Sequence, residues 1–346
     1  MTSPVSAPKS APSWTRLLPG VLVSFLAVGI SLLVNSFVPI LSAMLVAILL
    51  GVVARNALPL PASLEPGLAF AAKRLLRVGV VLLGLQLIVS DIVALGAGMI
   101  LIVVAVVAAG MGSTLLIGRA MRLSLTQTLL VAGGFSICGA AAVAAVDGVI
   151  ETKEREEVVT AVGLVVIFGT LMIPIVPILG ALIGFDPLTT GLWAGASTHE
   201  VAQVVAIGGA LGEEALAGAV VVKLARVLML APVMAGISLW RRHAIRAGRE
   251  LPGMGAEGGT LPPIMPAFVG GFILMVLIRW LGVVPASALA PLKILQTALL
   301  ASAMFALGTG VRLRDFAKVG PRPFVLAAAS TLIVGLTALV GVGFAH

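Results

Sequence analysis

The 346-residue chain is 60% apolar and 10% charged, with a mean hydropathy of +1.19. Soluble domains are roughly 45–50% apolar and about 25% charged, so this composition excludes a soluble globular protein. The 22 Lys and Arg against 14 Asp and Glu give +8, yet the bases sit in short segments between apolar runs, without aromatic interleaving or a nucleic-acid motif. That pattern excludes nucleic acid as a partner and reads as membrane orientation.

Residues 1–16 are polar and rich in Pro and Ser, with Lys9 and Arg16, and lead into an apolar run of spanning length. The expectation is a cytoplasmic tail and a retained first helix, because a cleaved signal peptide has a shorter apolar core and a small-residue cleavage site. A span needs about 20 residues to cross roughly 30 Å of hydrocarbon, so the chain has room for about ten or eleven. The expected helices are 17–36, 38–55, 73–90, 92–118, 124–150, 156–182, 188–210, 213–240, 263–282, 291–310 and 323–344. They group into a tail (1–16), an N-terminal transmembrane bundle (17–240) with broken helices at 124–150 and 188–210, a cytoplasmic loop (241–262) and C-terminal transmembrane helices (263–346).

If each of these segments spans, the cytoplasmic loops carry Arg55, Lys73, Arg74 and Arg77, then Arg119 and Arg122, then Arg241 to Arg249, then Arg312 to Arg322. The opposite loops carry Asp91, the mixed segment Glu151 to Glu157, and Glu213 with Glu214. This asymmetry puts the N-terminus in the cytoplasm and the C-terminus outside. The turn at Asp186 and Pro187 falls on the cytoplasmic side without a basic residue. Trp14, Trp240 and Trp280 sit at expected helix ends, as interfacial anchors do.

Internal similarity adds to the organisation. Residues 75–96 align without gaps to 299–320, pairing Leu83 with Leu307, Gly84 with Gly308 and Asp91 with Asp315. Charge places Asp91 outside and Asp315 inside, so the copies run in opposite directions, as an inverted repeat requires. A looser likeness joins Thr126 through Ser136 and Glu156 to Pro174 with Thr189 through Ser197 and Glu213 to Pro232. Eleven spans make those two copies parallel, so either a segment is re-entrant or the likeness is accidental.

Three segments can carry chemistry. Gly133 to Ala140 interrupts an apolar helix with glycine and small polar residues, which suits either a discontinuous helix, whose free backbone N–H groups attract anions, or close packing by small residues. Gly195 to Gln203 places Ser197, Thr198, His199, Glu200 and Gln203 within another apolar segment. An intramembrane His or Glu is costly unless it faces a cavity or a partner. Lys223 and Arg226, three residues apart near the middle of 213–240, share a helix face and need partners. Glu200 and Asp147 could pair with them, or an anionic substrate could complete the balance. One cysteine, Cys138, excludes an internal disulfide and a multi-cysteine metal site. His199, His243 and His346 fall in unrelated segments, so neither metal nor cofactor is expected. Nothing in the spacing of Cys138 and His199 supports a nucleophile and base, and the chain reads as a non-enzyme.

On the stretches Ser136-Ile-Cys-Gly-Ala140, Thr198-His199-Glu200-Val-Ala-Gln203 and Lys223-Leu-Ala-Arg226, the chain resembles the YeiH family of bacterial inner-membrane proteins, described as sulfate exporters. The resemblance covers essentially the whole transmembrane chain. It implies an all-α polytopic fold with inverted repeats and discontinuous, broken or re-entrant helices, related to bile-acid and sodium/proton carriers. It also implies sulfite, sulfate or an organosulfonate as cargo and the bacterial inner membrane as location. The two broken segments stand closer in sequence than a simple five-plus-five arrangement places them.

The leading expectation is a secondary transporter for a small anion. Ser136, Cys138, Gly139, Ala140, Ser197, Thr198, His199, Gln203, Lys223 and Arg226 would line the substrate site, and His199 and Glu200 would couple a proton. Its partners would be the anion and the lipid bilayer, with a homodimer compatible with such a chain. A cation/proton antiporter, an anion channel and a sensory membrane protein are the alternatives.

Overall fold

The computed structural model describes residues 14–38, 43–249, 251–255, 266–310 and 320–345. Asp315, with Arg312, Arg314 and Lys318, and parts of the 1–16 tail and the 241–262 loop lie outside the described residues. The described residues are almost entirely helical: α1 (Trp14–Phe37), α2 (Ala43–Ala57), α3 (Glu65–Phe70), α4 (Leu76–Leu83), α5 (Val89–Ala94), α6 (Gly96–Ala120), α7 (Leu125–Gly133), α8 (Ala140–Ile150), α9 (Arg155–Ile183), α10 (Pro187–Ser197), α11 (Val201–Leu211), α12 (Glu213–Leu228), α13 (Leu230–Arg246), α14 (Ala267–Trp280), α15 (Ala286–Gly308) and α16 (Arg322–Ala345). A π-turn, Ala71–Leu75, joins α3 to α4, so the segment expected at 73–90 is a longer, bent element. Among the described residues six continuous helices are long and apolar enough to cross a membrane: α1, α6, α9, α12 with α13, α15 and α16.

Two expected spans are hairpins instead. Gly133 lies against Val146, and Gly134 against Val143, so α7 and α8 run antiparallel. The open end of this first hairpin is pinned where Ser124 and Thr126 donate to the Glu157 carboxylate and Arg155 pairs with Asp147 at 3.1 Å. In the second hairpin Gly191 and Gly195 of α10 abut Ala215 and Ala219 of α12 in parallel, while Gly208 of α11 abuts Leu216. The start of α10 and the end of α11 therefore lie at one level. Arms of 11 residues, such as α8 and α10, extend about 16 Å, half of a hydrocarbon core of roughly 30 Å.

Helix α9 serves as a ruler. Its 29 residues extend about 43 Å, with the first hairpin's open end beside its start and the second's beside its end, where Gly180 meets Thr190. The first tip reaches Val165 and Phe168, and the second reaches Gly169 through Gln203. The hairpins thus insert from opposite ends and meet at the middle of α9. Local sequence sets where each hairpin begins: Ser124 caps α7 by accepting from the Gln127 amide, and Asp186 caps α10 with Pro187 in its first turn. The Thr189 hydroxyl and amide hold the Asp186 carboxyl below its ordinary value.

This geometry corrects two placements. Glu151 to Glu157 lie at the same end as Arg55, Lys73 and Arg77, because Arg155 lines one void with Arg55 and Lys73, and Lys153 lines another with Arg77. Asp186 and Pro187, expected at that basic end, lie at the other. Residues 241–249 and 251–255, the described part of the 241–262 segment, also dock at the basic end: Thr152 bridges Met254, and Arg241 donates to Val149 O at 2.6 Å and to Gly255 O.

The helices form two groups. Both hairpins, α6, α9, α12, α13 and α16 pack as one bundle; α1 to α4, α14 and α15 pack as the other. Gly84 fits against the Phe272 carbonyl of α14, and its counterpart Gly308 fits against the Ile48 carbonyl of α2. The matched glycines of the gapless internal alignment thus do the same job, close helix approach, within the second group.

Candidate functional site

The two tips cross with their residues buried. Ser136, Cys138, Gly139 and Ala140 form the first tip; Ser197, Thr198, His199 and Glu200 form the second; Lys223 and Arg226 of α12 reach both. Each break leaves one helix C-terminus and one helix N-terminus in the middle of the bundle, with carbonyls and amides that have no intrahelical partner.

The carbonyl ends are met by cations. Lys223 Nζ donates to the carbonyls of Ile137 (3.0 Å), Thr198 (2.8 Å) and His199 (2.5 Å). Arg226 donates through Nε to Ser136 O, through Nη1 to Gly195 O and Thr198 O (2.8 Å), and through Nη2 to Phe135 O (3.1 Å) and Ser136 O (3.0 Å). All three protons of the ammonium and all three nitrogens of the guanidinium are engaged. Cations at helix C-termini are favourable on electrostatic grounds as well, and hydrogen bonds to charged groups contribute about 1.5–3 kcal/mol each. The carbonyls are thus partners that side-chain bookkeeping omits. Asp147, the alternative partner, is taken by Arg155 and by the Thr152 amide at 3.0 Å.

The amide ends converge on one carboxylate. Glu200 caps α11 by accepting from the Gln203 amide, while Gln203 Oε1 accepts from the Glu200 amide at 2.9 Å. Glu200 Oε1 also accepts from the Ala140 amide, the first N–H of α8, at 3.3 Å. A resident anion therefore sits where two helix N-termini meet. Gly139 permits this contact. Its φ is +74°, and a Cβ there would lie 2.5 Å from Glu200 Cγ.

The other expected site residues divide. Ser136 Oγ and Thr198 Oγ1 are buried without a hydrogen-bond partner among the described residues. Ser197 donates to Trp193 O within its own helix at 2.7 Å, so its hydroxyl is committed there. Gln203 fits against Gly169 and completes the cap, which turns it from the crossing. His199 lies 4.5 Å from the Phe135 ring, its Nδ1 against Phe135 O (3.2 Å) and its Nε2 against Thr331 Oγ1 (3.1 Å). A carbonyl only accepts, so Nδ1 carries a proton. A neutral ring then accepts from Thr331, and a charged ring donates to it while Thr331 turns to Ala327 O, 2.9 Å away.

Sequence reading missed Thr331. The Ser330-Thr331 pair inside an apolar run was its signal; Ser330 accepts from Thr114 at 2.8 Å. It also missed the crevice between the two helix groups at the basic end. Two adjoining voids of about 240 and 230 Å³ share Ala72, Lys73 and Arg155; they also reach Arg55, Arg77 and Lys153, with Glu65, Asp147 and Glu151 interspersed. The second void extends along α8 to Ala144, about one turn from the first tip.

A family model described as conserved hypothetical protein 698 matches residues 19–327. The chain is 48% identical over 346 residues to a UPF0324 membrane protein of Corynebacterium glutamicum, covering 98% of each chain. It is 34% identical over 331 residues to the UPF0324 inner membrane protein YeiH of Salmonella typhimurium, covering 92% of each. To the UPF0324 membrane protein TauZ of Paracoccus denitrificans it is 34% identical over 301 residues, covering 86% of this chain and 87% of that one.

Proposed function

The chain belongs to the UPF0324 family of membrane proteins, the family of YeiH, and on that premise we propose that it is a secondary transporter carrying a small anion by alternating access. One observation carries the reading: the N-termini of α8 and α11 converge at mid-bundle on the Glu200 carboxylate, with Lys223 and Arg226 behind them. Helix N-termini with oriented amides bind carboxylate, sulfate and phosphate alike. Glu200 holds the place of the cargo, and an incoming oxyanion takes over its amides and the open hydroxyls of Ser136 and Thr198 when the carboxylate swings aside or gains a proton. His199 and Thr331 supply the proton path.

The crevice gives the site its access from the basic end, the cytoplasmic end on the positive-inside rule; movement of one helix group against the other would open the opposite side. The two hairpins with the helix after each are then inverted copies, as in other carriers. Family resemblance favours sulfite, sulfate or an organosulfonate as cargo, moved outward across the bacterial inner membrane.

Reconstituted protein should exchange radiolabelled sulfate or sulfite across liposomes, and replacing His199 with Gln should flatten the pH dependence of that exchange. No flux for a broad panel of inorganic and organic anions would overturn the transporter reading; an unchanged pH profile would remove His199 from coupling.

A further inference from the structure

A further cavity lies remote from the hairpin tips. A lateral groove of about 710 Å³ opens at the basic end between α6, α7 and α13. Leu115 and Leu129 belong to its apolar wall, and Arg119, Arg249 and Trp240 line it as well. No acidic residue lines it among the described residues. The side chains of Arg119 and Arg249 are exposed and enter no ion pair or hydrogen bond among the described residues, and Trp240 is 40% exposed. Gly236, also in the lining, has open space where a Cβ would stand.

Two guanidinium groups, unpaired among the described residues, beside an apolar trough and an interfacial tryptophan match a phosphodiester headgroup on acyl chains. We propose that this groove binds an anionic phospholipid of the leaflet at the basic end, its phosphate between Arg119 and Arg249 and an acyl chain along Leu115 and Leu129. A free oxyanion would leave the apolar trough unused, and a zwitterionic lipid would return little of the charge complementarity. Because Leu129 lies on the first arm of hairpin one, bound lipid braces the arm that ends at the tip. Lipid binding here requires only a membrane-embedded chain, so it stands or falls separately from anion transport.

The test is thermal unfolding of the full-length protein in neutral detergent with added phosphatidylglycerol, phosphatidylcholine or inorganic phosphate. Phosphatidylglycerol should raise the melting temperature by several degrees through preferential binding to the folded state, and the other two should not. The Arg119→Gln/Arg249→Gln double variant should need roughly tenfold more phosphatidylglycerol for half the effect. Gly236→Phe, which fills the trough from an open position, should abolish the shift while melting normally without lipid. Equal stabilisation by phosphatidylcholine or by phosphate overturns the proposal, as does an undiminished phosphatidylglycerol shift in both variants.

Discussion

At the residue scale the informative groups are the two buried cations. Hydropathy treats Lys223 and Arg226 as roughly 2.5–3.5 kcal/mol unfavourable each at a helix centre, which signals a partner without identifying it. The partners are backbone carbonyls at the ends of α7 and α10, and carbonyls are common to all residues, so no sequence pattern announces them. This sets apart two roles that charge counting merges, holding the crossing together, which these hydrogen bonds do, and attracting the anion of the proposed transport. Replacing Lys223 with Met would leave the carbonyls of Ile137 and His199 without their donor, while Thr198 O keeps Arg226, at about 1–3 kcal/mol for each one left unsatisfied. The variant should melt well below the parent even with no anion present. Parent-like melting with weakened anion binding would confine Lys223 to the cargo. Thr198 and Ser136, legible as small polar residues in an apolar run, do stand at the tips; Ser197, equally legible, turns its hydroxyl to Trp193 because a serine in a helix can bond back one turn.

At the element scale the decisive feature is a break that reverses the chain. The glycine and polar residues at 133–140 and 195–203 show where the helices stop, and composition can go no further, since a broken span and a hairpin use the same residues. Gly139 makes the distinction concrete. Its positive φ turns the chain from α7 into α8 and its missing Cβ admits Glu200. Gly139→Ala should cost about 1–3 kcal/mol in backbone strain alone and displace the carboxylate from the α8 N-terminus. Thermal unfolding and anion titration should both register the change; a variant with parent-like stability and affinity would mean that the tip tolerates the side chain and that the Glu200 contact is dispensable. The two segments of the looser internal likeness run in opposite directions, because their hairpins insert from opposite ends.

At the scale of the whole molecule, two helix groups enclose a crevice with bases on both walls: Arg55, Lys73 and Arg77 on one, Lys153 and Arg155 on the other. If the groups move past each other during transport, tying them together should stop it. Ala72 and Ala144 face the same void from opposite groups. With both replaced by Cys, a bifunctional thiol reagent should arrest anion exchange, while either single replacement treated alike should continue to exchange. Full exchange by verifiably cross-linked protein would show that the groups need not separate there.

Side-chain pattern along the chain was enough to establish the membrane class, the family, the placement of both helix breaks and the charge asymmetry of the two ends. The asymmetry was legible despite two misassigned spans because two re-entrant hairpins cancel: each reverses the side of the helices after it, and beyond the second the remaining helices return to the expected orientation. Only Glu151 to Glu157 and the Asp186 turn, which lie between the two, changed ends. It took the packed fold to establish that 124–150 and 187–211 turn back, that backbone carbonyls and amides partner the buried charges, and that a basic crevice lies between the helix groups. One cause is common to all three. Hydropathy and charge are properties of side chains taken one segment at a time, whereas a hairpin, a helix end and a crevice are relations between segments, built largely from a backbone that the sequence does not distinguish.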